Sequence, residues 1–104
     1  MYNTLGSGFL EKIYENALAL EFSEVGLSFI KQAPVRVFYK NKIMGDYFAD
    51  FIVDGKVIVE VKALNNFCGS EEAQLINYLK ATGIEVGLLL NFGKEAGIKR
   101  MVFG

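Results

Sequence analysis

The chain has 104 residues, of which 52% are apolar and 22% charged, a balance that suits one globular domain and excludes a disordered tail or a fibrous repeat. A formal net charge of -1 excludes binding to nucleic acid by bulk positive charge. With no histidine and one cysteine, Cys68, histidine triads and relays, cysteine-rich zinc sites and internal disulfides are excluded as well, so any metal must be a hard cation on oxygen ligands.

No apolar run approaches the ~18 residues of a membrane span. The start, from Met1 to Leu5, has neither the basic segment nor the long apolar stretch of a secretory signal. With the lone cysteine, these features predict a cytoplasmic protein without membrane association.

The first predicted element is a helix from about Gly8 to Val25, with Ser7 as its N-cap and Gly26 at its stop. Ile13, Ala17 and Leu20 recur in it at helical spacing, and so do Glu11, Tyr14, Leu18 and Phe22. Strands follow at Pro34–Tyr39, Asp46–Val53 and Lys56–Leu64, with Asp54-Gly55 turning the second into the third. A second helix covers about Glu71–Thr82, capped by Ser70 and stopped by Gly83. Ile84–Phe92 is almost wholly apolar, the pattern of a central strand covered on both faces, and Ile98–Phe103 reads as a last edge strand. The order α-β-β-β-α-β-β predicts an antiparallel meander and then a helical crossover to a parallel fourth strand. The fold is therefore α/β, a mixed sheet sandwiched by helices.

Charge where the pattern asks for apolar residues marks the candidate site. On the third strand Val57, Val59, Val61 and Ala63 share one face, and Ile58, Glu60, Lys62 and Leu64 the other. On the second, Asp50 falls between Phe48 and Ile52. Burying carboxylates is costly unless a partner or a metal compensates. The turn decides whether Asp50 and Glu60 meet. A two-residue loop sets Asp50 opposite Val59, facing away from Glu60. A three-residue loop of Val53, Asp54 and Gly55, with Gly55 left-handed in a bulge, sets it opposite Ile58 and diagonal to Glu60, ~7–8 Å away at the backbone. The three-residue loop is the expectation adopted. Spacing alone is equally met by a Glu60–Lys62 ion pair with Asp50 half exposed at an edge. Gln74 and Tyr78 share a face of the second helix, placed to pack over the Glu60–Lys62 end, or else divided between surface and core.

Taken in order, Gly8-x-x-Glu11-x-x-Tyr14, Asp50, Glu60-Val61-Lys62, Gln74-x-x-x-Tyr78 and Gly87-Leu88-Leu89-Leu90-Asn91-Phe92-Gly93 resemble the GxxExxY protein family, a branch of the PD-(D/E)XK nuclease superfamily. The resemblance runs from about Leu5 to Arg100. It implies a single domain over residues 1–104 with a restriction-endonuclease-like core. The implied activity is that of a nuclease hydrolysing phosphodiester bonds of DNA with Mg2+ or Mn2+. Carried over, Asp50, Glu60 and the carbonyl of Val61 would hold the metal, and Glu11 would complete its shell or take a second ion. Lys62 would orient water or stabilise charge on the phosphate, Gln74 would hold Lys62 or the water, and Tyr78 would touch the substrate backbone.

A nuclease must also hold a polyanion. Lys31, Arg36, Lys40 and Lys42 near the first strand, and Lys94, Lys99 and Arg100 near the last, are candidate phosphate contacts, against the plainer reading as charges that keep strand edges apart. Phe67, Phe92, Met101 and Phe103 are a candidate apolar patch for a homodimer. The alternative function is a catalytically idle nuclease-fold module for nucleic-acid or protein interaction. A small-molecule enzyme is the weaker third, since no phosphate loop or cofactor motif is present.

Overall fold

The structure, a computed structural model, describes residues 7–65, 69–93 and 96–103; Phe67, Cys68 and Lys94 lie outside them, as does the capping role expected of the Ser7 side chain. Helix α1 (Ser7–Glu24) is followed by strands β1 (Phe29–Tyr39), β2 (Lys42–Val53) and β3 (Val57–Lys62). Helix α2 (Ser70–Thr82) and strands β4 (Val86–Asn91) and β5 (Gly97–Val102) complete the order. The sheet runs β1-β2-β3-β4-β5, with β3 and β4 parallel and the other neighbours antiparallel. The expected mixed sheet and element order are present. No helix among the described residues is long and apolar enough to cross a membrane.

One helix covers each face of the sheet. Tyr14, Leu18, Ala19 and Phe22 of α1 pack on Phe51, Val53, Val59 and Val61, while Leu75, Tyr78 and Leu79 of α2 pack on Val35, Ala49, Ile58 and Leu89. Strand β4 serves both layers, with Leu88 and Leu90 under α1 and Leu89 under α2, as its unbroken apolar run predicts. Gly87 lets α2 close on it, because a Cβ there would lie 2.8 Å from Leu75 Cδ1.

Helix α1 turns a different stripe inward from one of the two its sequence offers. Ala17 is exposed and Leu20 is 59% exposed, so Ile13, Ala17 and Leu20 do not form the core face. Two stripes of equal periodicity compete there, and the one with aromatic rings wins: Tyr14 stacks on Phe92 at 4.4 Å and Phe22 meets Phe51 edge-on at 5.3 Å. The helix stops as expected. Gly26, at φ 78, donates its N–H to Ser23 O, and Leu27 N–H reaches back to Phe22 O at 2.9 Å. Helix α2 corrects the expected cap. Gly69 (φ 93) is its N-cap, and Ser70 is already helical, its hydroxyl donating to Glu71 Oε2 at 2.9 Å.

Two departures from ideal strands place the site. Between β2 and β3, Asp54 (φ 54) and Gly55 (φ 64) form the turn, and Lys56 N–H donates to Val53 O at 2.9 Å. The ladder then opens with Val53 opposite Val57, so Lys56 is the extra, bulged residue. The loop is thus Asp54-Gly55-Lys56 and not Val53-Asp54-Gly55, and Asp50 is carried beside Glu60 instead of Ile58. The register moves by two residues, which preserves the parity of the β2–β3 pairing. Strands β1 and β2 also change phase together. Lys31 pairs with Phe51 and Ala33 with Ala49, with Gln32 at φ 53 and Asp50 between them. Past this point Ala49 lies under α2, while Phe51 and Val53 lie under α1, so Phe48, Asp50 and Ile52 do not share one simple face.

Candidate functional site

Asp50 and Glu60 are interlocked through each other's main chain. Asp50 N–H donates to Glu60 Oε2 at 2.6 Å, and Val61 N–H donates to Asp50 Oδ2 at 2.7 Å. The phase change at Gln32 and Asp50 makes this possible, since it frees Asp50 from the regular ladder just where β2 parts from β3. Peptide groups alternate along a strand. Lys62 O turns to β4, where it accepts from Phe92 N–H at 2.8 Å, so Val61 turns its N–H and its carbonyl toward Asp50. Asp50, Glu60 and the main chain of Val61 are thus brought together where β2 parts from β3.

The electrostatics follow from that convergence. Glu60 is only 4% exposed. Burial first, and then the Asp50 charge, push its carboxyl up to about 8, against smaller lowering by the Asp50 N–H and by Lys62. Burial also raises Asp50, with Glu15 and Glu11 adding to the rise and the Val61 N–H and Lys62 opposing it. The Lys62 ammonium thus acts on both carboxylates, as its position two residues after Glu60 predicts. Tyr78 of α2 borders the same centre. Burial and the charges of Glu60 and Asp50 push its phenol up to about 12, so it remains a donor at neutral pH.

Glu11 reaches the site from α1, and its charge acts on Asp50. Its Oε2 accepts the Ala63 N–H at 3.1 Å, fixing the chain just past Lys62. Gln74 is exposed, and its amide makes no hydrogen bond among the described residues, so it does not hold Lys62. Among the described residues no three acidic or thiol side chains are grouped closely enough to hold an ion by themselves. The donor set is two carboxylates and a carbonyl, which fits a cation that keeps water and phosphate as its remaining ligands, as Mg2+ does. Both carboxyls are raised because burial and the charge of neighbouring carboxylates disfavour ionisation, and a hard cation would offset that cost in place of a proton.

Two residues of the surroundings, Glu15 and Gln32, escape a reading by motif, and a third, Asn91, stands inside the Gly87–Gly93 motif with no role assigned to it. Glu15, 5% exposed, accepts from Gln32 Nε2 at 2.7 Å, and the same amide makes a long contact of 3.5 Å to Asp50 Oδ1. Glu15 lies one position from Tyr14 and four from Glu11, so the inward stripe of α1, once known, points to it. Asn91 ends the apolar run of β4. It accepts Leu64 N–H at 2.8 Å and donates to Leu64 O at 3.1 Å, pairing like a strand with the segment after Lys62. A buried polar residue closing an otherwise apolar strand is the signal that could have found it.

The basic residues do not form one surface. Lys31 bonds Asn16, Arg36 pairs with Asp46 at 3.0 Å, and Lys99 pairs with Glu72 at 3.1 Å at the other end of the sheet. Nor do the apolar candidates: Phe92 stacks under α1 on Tyr14, Met101 packs against the α2-side core, and Phe103 lies against Lys80.

A family model described as the PD-(D/E)XK nuclease superfamily matches residues 1–101. Among solved structures, that of SSO0001 superposes with a TM-score of 0.72 at 16% identity, covering 91% of this chain and 50% of that one. An alkaline exonuclease, LHK-Exo, from Laribacter hongkongensis superposes with a TM-score of 0.57 at 14% identity, covering 89% of this chain and 56% of that one. The chain thus spans about half the length of these two proteins, and at such identities the likeness is one of fold. No curated protein matches the chain in sequence.

Proposed function

The chain belongs to the PD-(D/E)XK nuclease superfamily, and from that premise we propose that it hydrolyses phosphodiester bonds of DNA with a divalent cation, Mg2+ or Mn2+, as a member of the GxxExxY branch. The observation that carries this reading is the interlock of Asp50 and Glu60 beside Lys62. It joins the two carboxylates through main-chain N–H groups, with the Lys62 charge acting on both, whereas an ordinary ion pair needs only Glu60 and Lys62.

Asp50, Glu60 and the Val61 carbonyl would hold the cation. When bound there, it supplies Lewis acidity toward a phosphate oxygen and lowers the pKa of water, which removes the need for a histidine base. The residues of the chain do the rest. Lys62 places positive charge at the scissile phosphate and orients the attacking water. Glu11 and Asn91 fix the main chain on the far side of Lys62, and Tyr78 offers its hydroxyl to the sugar-phosphate backbone. Association as a homodimer and a cytoplasmic setting belong to the same proposal.

The test is cleavage of plasmid and branched DNA with Mg2+ or Mn2+ by the wild type, Asp50→Ala and Lys62→Ala. Loss of an electrostatic stabiliser of this kind costs ~100- to 1,000-fold in rate, so both variants are expected to be nearly inactive. Equal cutting by all three proteins assigns the activity to a contaminant. No cutting by the wild type, with no rise in melting temperature on adding the cation, favours the idle binding module.

A further inference from the structure

A cavity of about 800 Å³ opens between α2 and the β1–β2 hairpin, lined in part by Arg36, Tyr47, Gln74, Asn77, Tyr78 and Lys80. From its lining we infer that this groove binds an unpaired nucleotide strand and leads it to the Asp50–Glu60 gap. The second half of that statement rests on the nuclease reading above; the binding itself does not.

Size comes first. Pockets of roughly 300–1,000 Å³ enclose single drug-sized ligands. A nucleotide or two is of that scale, whereas a duplex, whose major groove alone is about 12 Å wide, must stay outside. The chemistry of the walls is that of a single-strand channel, which combines aromatic stacking faces with positive charge along the backbone path. Tyr47 is 46% exposed, and its ring is tilted at 46° to that of Tyr78, with centroids 6.1 Å apart, so the two rings do not cover each other. Every base has a π-face for such a ring, so stacking there asks for no particular sequence. Gln74 and Asn77, three apart on exposed positions of α2, supply amide donors and acceptors for base edges.

Charge agrees. Arg36 and Lys80 line the groove and no carboxylate does, although the chain as a whole is at -1. Arg36 is held by Asp46 in an exposed pair, the kind that is worth little and yields readily to a phosphate. Continuity with the catalytic gap is supplied by Tyr78, which lines the groove and is close enough to Glu60 and Asp50 to feel both charges. The groove also gives a role to Gln74, which is exposed and makes no hydrogen bond to Lys62. It becomes a strand contact, not a partner of the lysine.

The experiment measures fluorescence anisotropy of a labelled oligodeoxythymidylate and of a duplex of equal length, with EDTA present so that nothing is cut. The wild type is expected to bind the single strand more tightly than the duplex, with affinity falling as salt rises. Tyr47→Ala should weaken binding about tenfold, the loss of one stacked base, while Tyr47→Phe should keep it. Lys80→Glu, at an exposed position of α2, should weaken binding even if Tyr47→Ala fails to fold. Wild-type affinity in both Tyr47→Ala and Lys80→Glu overturns the proposal. So does preference for the duplex, or no binding at all. Cleavage with Mn2+ separates the two readings. Groove-dependent binding without any cutting by the wild type leaves the groove and removes the nuclease, and cutting by a wild type whose groove variants bind normally does the reverse.

Discussion

A buried amide has donors and an acceptor to satisfy, and Asn91 meets that need with the main chain of Leu64 and Gly93. Its Oδ1 takes Leu64 N–H and also Gly93 N–H, and its Nδ2 gives to Leu64 O. Because Leu64 lies two residues past Lys62, the amide extends the β3–β4 pairing beyond the last ladder pair, Lys62 with Asn91. Replacing it by alanine takes the partner from two half-buried N–H groups and one C=O, at about 1–3 kcal/mol for a group left unmet. In a domain of this size each kcal/mol moves the melting temperature by roughly 4–8 °C. Asn91→Ala is therefore expected to melt several degrees lower by calorimetry, and to cut DNA more slowly because the segment carrying Lys62 has lost its tether. An unchanged melting temperature would show that water replaces the amide without cost.

At the level of elements, the close approach of the chain after β4 to the chain after β3 depends on Gly93. A Cβ there would lie 2.2 Å from Leu64 O and 2.5 Å from Leu64 N, backbone atoms that cannot rotate aside. Gly93→Ala is expected to cost well over ~1 kcal/mol and to lower cleavage with it. Gly97→Ala, which meets nothing within 4 Å, is the control and should be neutral by denaturant midpoint. How far such features are legible in a sequence depends on what encodes them. The strands, their order and the shared face of Glu60 and Lys62 follow from the period of two along β3, whose two faces are both buried. The facing of Asp50 and Glu60 survived a misplaced turn because a slip of two residues preserves parity. The phase change at Gln32 left no trace, since it resides in one positive φ that glutamine does not advertise. Glu15 stayed hidden for a related reason. A glutamate on a helix looks solvated until the rotation of that helix is known, and α1 offers two stripes of equal period.

For the molecule as a whole, the interlocked carboxylates make folding sensitive to pH in a direction opposite to that of a salt-bridged acid. An unfolded glutamate titrates near ~4.3, whereas Glu60 in the folded chain is pushed up to about 8, with Asp50 raised as well. Between those values the folded protein keeps a proton that the unfolded chain has released. Stability is therefore fully present below the unfolded value, declines as pH rises through the window, and levels off once Glu60 ionises. A proton held tenfold more tightly by the folded chain corresponds to about 1.4 kcal/mol, so the decline is large enough to follow by thermal melting in a chelator. A divalent cation held there as proposed would reverse the trend, because it would bind the folded state and take the carboxylates in their ionised form. Mg2+ or Mn2+ is thus expected to raise the melting temperature near pH 8 and to do little near pH 5. Glu60→Gln should flatten the pH dependence in EDTA and remove most of the response to the cation. A wild-type melting temperature that climbs with pH in EDTA would mean that the two carboxylates are already neutralised by the protein, leaving a cation nothing to compensate.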